Sequence, residues 1–242
     1  MDRSRRDAAP PKQLTFDLPL DPRYGREDFL VGPANEIAYG LIEAWPDWPD
    51  TVFLLTGPAG SGKSHLASIW ATRAHAWTAK ASEVVDAAIP HLVSNGALVV
   101  EDVDRPQGRD EAALFHLLNL ARERKTPVLL TAGRPVEAMG LATADLRSRL
   151  RLAPGATILP PDEALLRAVI VKLFVDRQLV VDLSVVEALV LRIDRSLALA
   201  REVVVELDRD ALGRGRRITR PLALAVLARL GLGTEDNDEE PG

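Results

Sequence analysis

The chain has 242 residues, 47% of them apolar and only 5% aromatic, so it can bury a substantial core made mostly of Leu, Val and Ala. The absence of cysteine excludes a disulfide framework and a Cys-ligated metal, and the net charge of −5 argues against non-specific attraction to DNA or anionic lipid. Because no apolar stretch approaches the roughly 20 residues that span a bilayer, and the N-terminus lacks the apolar region of a secretory signal, we expect a cytoplasmic protein with no membrane partner.

Residues 1–27 form a predicted flexible arm, because prolines, charged residues and small residues dominate this part of the chain. Within the arm, the stretch QLTFDL alternates apolar and polar side chains in a place that has no core of its own. An extended segment of this kind can insert apolar side chains into a groove of another protein, while its glutamine amide forms hydrogen bonds. The residues predicted to bind a partner in this way are Gln13, Leu14, Phe16 and Leu18. The alternative is an edge strand packed on this protein's own domain, against which the flanking prolines weigh.

Residues 28–160 alternate short apolar runs with longer mixed segments. The runs VFLLT, ALVVE and PVLLTA predict buried parallel strands. Helix-like segments border these runs, so the pattern is that of βαβ units and predicts an α/β domain with a parallel sheet. The segment around Val84 and Val85 is compatible with either a strand or a helix.

The stretch GPAGSGKS, residues 57–64, follows the first predicted strand and opens a predicted helix. It matches the P-loop pattern, in which glycines let backbone N–H groups point at phosphate oxygens and the helix N-terminus adds its partial positive charge. Lys63 is predicted to reach the β- and γ-phosphates of ATP, or the β-phosphate of ADP, and the Ser64 hydroxyl to bind Mg²⁺. The predicted cofactor-binding residues of this region are Pro58, Ala59, Gly60, Ser61, Gly62, Lys63, Ser64 and His65. The alternative is a glycine-rich turn before a helix, which the flanking strand and helix disfavour.

Acidic residues follow the second predicted strand in ALVVEDVD. A P-loop requires a carboxylate at the tip of a neighbouring strand, and Glu101 and Asp102 stand there, with Asp104 just beyond. One of the first two carboxylates is expected to hold Mg²⁺ through water, and the other to orient the attacking water. The alternative is a pair of acids that only ends a strand.

The segment PGATILPPDE carries three prolines and interrupts the alternating pattern. After it, apolar residues recur with helical spacing, separated by breaks at acidic or glycine-rich positions. We therefore predict a small all-helical lid domain over residues 161–231 and an acidic, disordered tail over residues 232–242. No strongly basic face is evident in the helical part, so we expect no sequence-specific DNA binding by the chain itself.

The motifs FLVGPAN, GPAGSGKS, ALVVEDVD, PVLLTAGRP and LRSRL occur in an order and spacing that resembles the DnaA-type AAA+ ATPases, from about Phe29 to Leu230. The resemblance implies that Asn35 lies in the segment flanking the nucleotide base and that Arg201 is a lid arginine facing this chain's own nucleotide. In LRSRL it implies that Arg149 is an arginine finger, which would reach the γ-phosphate held by a neighbouring protein. The alternatives are a solvated, arginine-rich helix end for LRSRL and an ordinary surface arginine for Arg201.

DnaA continues into a DNA-binding domain, whereas this sequence ends shortly after its last predicted helix. In this arrangement the chain resembles the Hda-type (HdaA) regulators, which are DnaA-related AAA+ proteins with a short leader. The resemblance implies that QLTFDL binds the β sliding clamp of a bacterial cell. It also implies that the ADP-bound protein docks on ATP-bound DnaA, where Arg149 promotes ATP hydrolysis and so inactivates the initiator.

Two departures from the DnaA pattern bear on this chain's own hydrolysis. Gly133 stands where DnaA has an acidic residue, so a polar sensor is missing unless Thr131 substitutes, and Glu101 stands where Asp is usual. Phosphoryl transfer depends on exact positioning, so we expect weak intrinsic ATPase activity. The alternatives are a helicase-loader-type ATPase with its own turnover and a non-catalytic adaptor that joins the clamp to another partner; self-association stays open.

Overall fold

The computed structural model of the protein describes residues 25–214 and 217–232. The predicted clamp-binding residues Gln13, Leu14, Phe16 and Leu18 lie outside this part of the chain, as does most of the acidic tail. One five-stranded sheet has the order β2-β3-β4-β1-β5, and its described pairings are all parallel. The strands are β1 (Val52–Thr56), β2 (Trp77–Lys80), β3 (Leu98–Glu101), β4 (Val128–Ala132) and β5 (Gly155–Thr157).

The helices of the described residues follow in chain order. They are α1 (Glu36–Glu43), α2 (Lys63–Ala74), α3 (Ile89–Leu92), α4 (Glu111–Arg124), α5 (Ala144–Leu152), α6 (Glu163–Asp176), α7 (Leu183–Val190), α8 (Leu197–Arg214) and α9 (Arg220–Arg229). Val84 and Val85 belong to neither a strand nor a helix, because they connect two short 3₁₀ turns on the way to α3. No helix in the described ranges is long and apolar enough to cross a membrane.

The sheet is covered on both faces, which explains the nearly continuous apolar strand runs. Successive strand residues point to opposite faces, so Leu54 and Leu130 join one hydrophobic cluster with α4, whereas Leu55 and Leu129 join another with α2. Every residue of β1 and β4 is buried. The predicted α/β fold with a parallel sheet is therefore confirmed.

Helices α6 to α9 surround a third hydrophobic cluster of their own. Aspartates begin two of these helices: Asp162 Oδ1 accepts a hydrogen bond from the Leu165 N–H at 2.7 Å, and Asp182 Oδ1 accepts one from the Ser184 N–H at 2.9 Å. Pro221 stands at the start of α9, where the missing N–H of proline costs no helical hydrogen bond. The result is an all-helical unit that follows the sheet along the chain.

The register of the parallel strands brings the predicted site residues to one edge of the sheet. Thr56, the last residue of β1, pairs with Ala132, the last residue of β4, and β3 runs beside β4 in the same direction. Ligands of open parallel sheets bind beyond the carboxyl ends of the strands. The P-loop after β1 and the acidic residues after β3 therefore lie at the same edge.

Candidate nucleotide site

The P-loop leads directly from β1 into α2. Gly60 and Gly62 have φ angles of 73° and 103°, a left-handed backbone that glycine adopts without strain. A Cβ at Gly60 would collide with the Ser196 side chain, so no larger residue fits there. The Gly60 carbonyl also accepts a hydrogen bond of 2.9 Å from the Leu197 N–H at the start of α8. The glycines therefore shape the loop and let it touch the helical unit.

Lys63 is the first residue of α2, and its ammonium group lies under the loop. Its Nζ donates to the carbonyls of Gly57 at 2.7 Å and Pro58 at 2.8 Å. Burial lowers the pKa of Lys63, and the carboxylates of Asp104 and Asp102 partly oppose this effect, with Glu101 contributing least. The lysine is therefore in the electrostatic field of the acidic residues at the tip of β3.

Backbone geometry at the tip of β3 separates the acidic side chains. Asp102 has a left-handed φ of 62°, and its N–H donates to the Thr131 hydroxyl at 3.3 Å. Its carboxylate pairs with Arg105 at 3.2 Å, whereas Glu101 is the last residue of β3 and pairs in register with Lys80. The Thr131 hydroxyl thus holds the acidic turn against β4.

Asp104 is the most buried carboxylate of this group, with a side chain only 6% exposed. It accepts hydrogen bonds from the Gly133 N–H at 2.7 Å and from Arg134 Nε at 3.2 Å. A Cβ at Gly133 would lie 3.0 Å from Asp104 Oδ2, so this carboxylate fills the space beside the glycine. The sequence showed Asp104 near the site but gave it no role, because its position beside Gly133 and Arg134 depends on tertiary packing.

A cavity of 460 Å³ lies between the P-loop, residues 28–35 and the helical unit. Of the predicted cofactor-binding residues, those that line it are Asn35, Gly60, Gly62, Lys63, Ser64, His65 and Arg201. Pro58, Ala59 and Ser61 belong to the same loop but do not line the cavity. A nucleoside diphosphate fits this arrangement, because P-loop glycines, a lysine and the start of a helix line the cavity together with apolar side chains.

The apolar lining of the cavity was not predicted. It is formed largely by Phe29, Leu30, Val169, Leu173 and Val205. Helical spacing indicates which residues are apolar on one face, but it does not distinguish those that face the core from those that face a ligand. Lys172 also lines the cavity, and it pairs with Asp28 at 2.7 Å and with Asp176 at 2.8 Å. The ion pair between Lys172 and Asp28 links the segment before α1 to the helical unit.

Asn35 shapes the segment that closes the cavity. Its Oδ1 accepts from the Gly32 N–H at 2.9 Å, and its Nδ2 donates to the Leu30 carbonyl at 3.0 Å. The residue is buried and lines the cavity, with both amide groups engaged by its own loop. Its contact with a nucleotide would therefore be mainly steric.

Ser61 is buried inside the P-loop and does not line the cavity. Its hydroxyl is buried and has no hydrogen-bond partner within the described part of the chain. A Cβ at Gly57 would approach this hydroxyl to 2.8 Å, so the loop is tightly folded here. Of the residues predicted to hold Mg²⁺, Ser64 lines the cavity, whereas Asp102 and Glu101 do not. Among the described residues no cluster of three or more His, Asp or Glu side chains is arranged to hold a metal alone.

Arg149 lies away from this cavity. It is on α5, half-buried, and its guanidinium carbon stands over the Phe115 ring at 5.1 Å from the ring centre. Arg147, on the same helix, is exposed. Arg149 is not among the residues that line the cavity, whereas Arg201 on α8 is. Arg149 and Arg201, both singled out from the sequence, therefore lie in different parts of the structure.

The sheet, the P-loop and the helical unit above it define a P-loop ATPase module of the AAA+ type. No family model matches the chain. It is 28% identical over 170 residues to the chromosomal replication initiator protein DnaA of Caulobacter vibrioides, covering 60% of this chain and 35% of DnaA. It is 27% identical over 234 residues to DnaA of Thermomicrobium roseum, covering 86% and 50%. The chain is thus related to part of DnaA, and it spans at most half the length of these relatives.

Solved structures show the same fold. Domain III of the Thermotoga maritima replication initiation protein DnaA has a TM-score of 0.75 at 19% identity, covering 87% of this chain and 98% of that domain. A DnaA bound to AMPPCP and single-stranded DNA has a TM-score of 0.66 at 20% identity, covering 78% and 66%. The Thermotoga maritima RuvB branch-migration motor also has a TM-score of 0.66, at 17% identity, covering 86% and 73%. Since RuvB shares it, the fold alone does not distinguish an initiator from a motor.

Proposed function

We propose that the chain is a nucleotide-binding AAA+ regulator of replication initiation of the Hda type, acting in the bacterial cytoplasm. The sequence relationship to DnaA and the shared fold of a DnaA bound to AMPPCP support the coarse part of this proposal. In the cavity, Lys63 and the loop N–H groups would hold the phosphates, and Ser64 with Asp102 would hold Mg²⁺. ADP is the nucleotide we expect in the working form.

The opposite placement of the two arginines carries the finer proposal. Arg201 lines this chain's own cavity, whereas Arg149 lies outside it on α5. An arginine outside its own site suits a role in trans, in which the guanidinium stabilises charge at the phosphates of a neighbouring ATPase. We infer that this neighbour is ATP-bound DnaA and that Arg149 promotes hydrolysis there.

The arm would bring the protein to its client. Gln13, Leu14, Phe16 and Leu18 would bind the β sliding clamp, and a tethered module has a raised effective concentration near other proteins on the same DNA. Support for this step is the apolar and polar alternation of QLTFDL and its likeness to the leader of Hda-type regulators. The predicted outcome is inactivation of DnaA after replication has begun.

The test is DnaA-bound ATP hydrolysis with loaded clamp, ADP and either the wild-type chain or Arg149→Ala. Arginine fingers contribute about 10³- to 10⁵-fold to rate, so Arg149→Ala should lose nearly all stimulation. Its binding of ADP and clamp should stay unchanged, and the exposed Arg147→Ala is the matched control. Full stimulation by Arg149→Ala would contradict the finger assignment, and loss of stimulation by both variants would point to a general arginine surface.

A helicase-loader-type ATPase is the second candidate, and the carboxylates around Lys63 favour it. The carboxylates of Asp104 and Asp102 oppose the effect of burial on the pKa of this lysine, so acidic groups lie near the P-loop despite Gly133. Robust ATP hydrolysis by the chain alone, stimulated by single-stranded DNA, would favour this function. A chain that binds clamp and nucleotide but neither hydrolyses ATP nor affects DnaA would be the adaptor instead.

A further inference from the structure

The position of Arg149 on α5 is fixed by the buried face of that helix. Leu146 and Leu150 are 1% and 3% exposed and anchor the helix in the cluster that also contains the α4 side chains. Backbone placement alone does not fix the end of an arginine side chain, which has several rotatable bonds and a large rotamer entropy. A group that must enter another protein's site therefore needs a neighbour that restricts it.

Phe115 is such a neighbour. It lies on α4, partly buried against the sheet cluster, and its ring is under the Arg149 guanidinium at 5.1 Å. This distance is within the range of a cation–π interaction. The ring attracts the cation without occupying an N–H donor in a hydrogen bond and without neutralising the charge. Arg149 is therefore restricted but keeps the groups that bind phosphate.

Neighbouring arginines are held differently. Arg151, on the same helix, pairs with Glu137 at 2.9 Å, and Arg109 pairs with Glu111 at 2.8 Å. A carboxylate partner uses N–H donors and offsets the charge, which would oppose transfer of the guanidinium to a phosphate. No carboxylate of the described residues pairs with Arg149, whose guanidinium lies over the Phe115 ring instead. This contrast separates Arg149 from the structural arginines around it.

Helix α4, which carries Phe115, also fixes the start of α5. Glu111 accepts hydrogen bonds from the Thr143 N–H at 2.7 Å and the Ala142 N–H at 3.2 Å, directly before α5 begins. Its partner Arg109 has a side chain only 4% exposed and also donates to the Met139 carbonyl at 3.3 Å. Glu111 and Phe115 are one turn apart on α4 and share a face. One face of α4 thus supports both the beginning of α5 and the guanidinium of Arg149.

We propose that Phe115 is a positioning residue for Arg149, holding the charged guanidinium over its ring in an orientation from which it enters the nucleotide site of a partner ATPase. This inference rests on the proposed trans role of Arg149. Phe115 itself touches no nucleotide of either protein. Its effect is to raise the fraction of time that Arg149 spends in the competent orientation.

The experiment measures stimulated hydrolysis of DnaA-bound ATP by the full chain with loaded clamp and ADP, over a range of chain concentrations. Phe115→Leu keeps an apolar side chain but removes the ring, and should lower the maximal stimulated rate about fivefold to tenfold. The concentration giving half-maximal stimulation and the affinity for ADP should not change, because neither depends on the orientation of Arg149. Phe115→Tyr, which keeps the ring, should restore the rate.

Leu120→Ala is the matched control for lost packing, because Leu120 is partly buried on the same helix and in the same cluster. It should lower the unfolding temperature without lowering the maximal stimulated rate. If Phe115→Leu is too unstable to purify, Phe115→Met, which fills the space with a flexible side chain, takes its place.

The outcomes separate this inference from the proposed function. If Arg149→Ala stimulates fully, the trans role fails. If Arg149→Ala is inactive but Phe115→Leu stimulates fully, the positioning role of Phe115 is overturned and the trans role stands. Equal losses in Phe115→Leu and Phe115→Tyr would also overturn it, because the ring would then make no difference.

Discussion

Lys63 is the residue on which opposing electrostatic effects meet. Burial lowers its pKa from the ordinary value of 10.5, and the nearby carboxylates only partly restore it. A lysine whose folded pKa is depressed destabilises the folded state at neutral pH, and stability rises with pH between the folded pKa and 10.5. The charged form of Lys63 thus lowers the stability of the unliganded protein, as expected for a group whose function is to bind an anion.

Lys63→Met tests this cost directly. The variant should unfold, without nucleotide, at a temperature equal to or higher than wild type, because the desolvated charge is gone. Its affinity for Mg-ADP should fall about 100-fold, because charged hydrogen bonds to the phosphates are lost. Thermal unfolding with and without Mg-ADP measures both effects, with the exposed Lys80→Met as control. A nucleotide-induced shift as large as that of wild type would show that the cavity is not the nucleotide site.

Other single residues show what could and could not be predicted from the sequence. The P-loop could be predicted because its spacing is local: every fixed position lies within residues 57–64. Asp104 could not be assigned, because its partners Gly133 and Arg134 are about thirty residues away and meet it only through the pairing of β3 with β4. The ring under Arg149 likewise depends on the packing of α4 against α5.

At the scale of single elements, α5 depends on a buried ion pair beside its start. Burial raises the pKa of Glu111, but the N–H groups of Thr143 and Ala142 and the Arg109 guanidinium outweigh this and hold the pKa below its ordinary value of 4.5. A carboxylate with a depressed folded pKa adds stability above its unfolded pKa, and this stability is lost as the pH falls through the folded pKa. The anchoring of α5 should therefore weaken in acid.

Glu111→Gln removes the charge but keeps the shape. We expect the free energy of unfolding near neutral pH to fall by about 2–3 kcal/mol, because the buried Arg109 loses its counter-charge. The difference from wild type should begin to shrink as the pH falls below 4.5, where Glu111 of the unfolded chain becomes protonated, and should disappear only below the lower pKa of the folded state. Urea unfolding at both pH values measures this, with Glu137→Gln as control: its pair with Arg151 is exposed and should contribute little. A pH-independent difference would mean that the charge of Glu111 is not what stabilises the helix.

The sequence predicted the buried central strands better than it predicted the exposed edge strand β2. The three predicted strand runs correspond to β1, β3 and β4, whose continuous apolar residues are buried on both sides. The edge strand β2 was not predicted, because three of its four residues are exposed and no apolar run marks it. The Val84–Val85 segment stayed ambiguous for a related reason: Val84 is buried but Val85 is exposed, and two residues define no period.

At the scale of the whole molecule, the segment of residues 25–29 joins three parts of the structure. The Gly25 carbonyl accepts a hydrogen bond from His65 of α2 at 2.9 Å, and Arg26 pairs with Glu43 of α1. Asp28 pairs with Lys172 of α6, across 144 positions of the chain. The segment, which also lines the cavity through Asp28 and Phe29, therefore holds the sheet side and the helical unit together.

Lys172→Met should loosen this connection. We expect ADP to dissociate about threefold to tenfold faster, because the partly buried Asp28 loses its partner and the helical unit is less firmly held. Arg167→Met is the matched control: Arg167 is on the same helix and pairs within it, with Glu163 at 3.0 Å. Stopped-flow release of a fluorescent ADP analogue measures the rate. Equal rates for the two variants would show that the Asp28 pair does not hold the nucleotide.

The hydrogen bond between the Gly60 carbonyl and the Leu197 N–H makes α8 a lever. The helix has 18 residues and, at about 1.5 Å per residue, is roughly 27 Å long. Leu197 is the first residue of α8, so a tilt of about 10° about this point would displace the other end of the helix by roughly 5 Å. A change as small as one phosphate group in the loop would thus become a larger displacement at the other end of α8, which another protein could detect without touching the nucleotide.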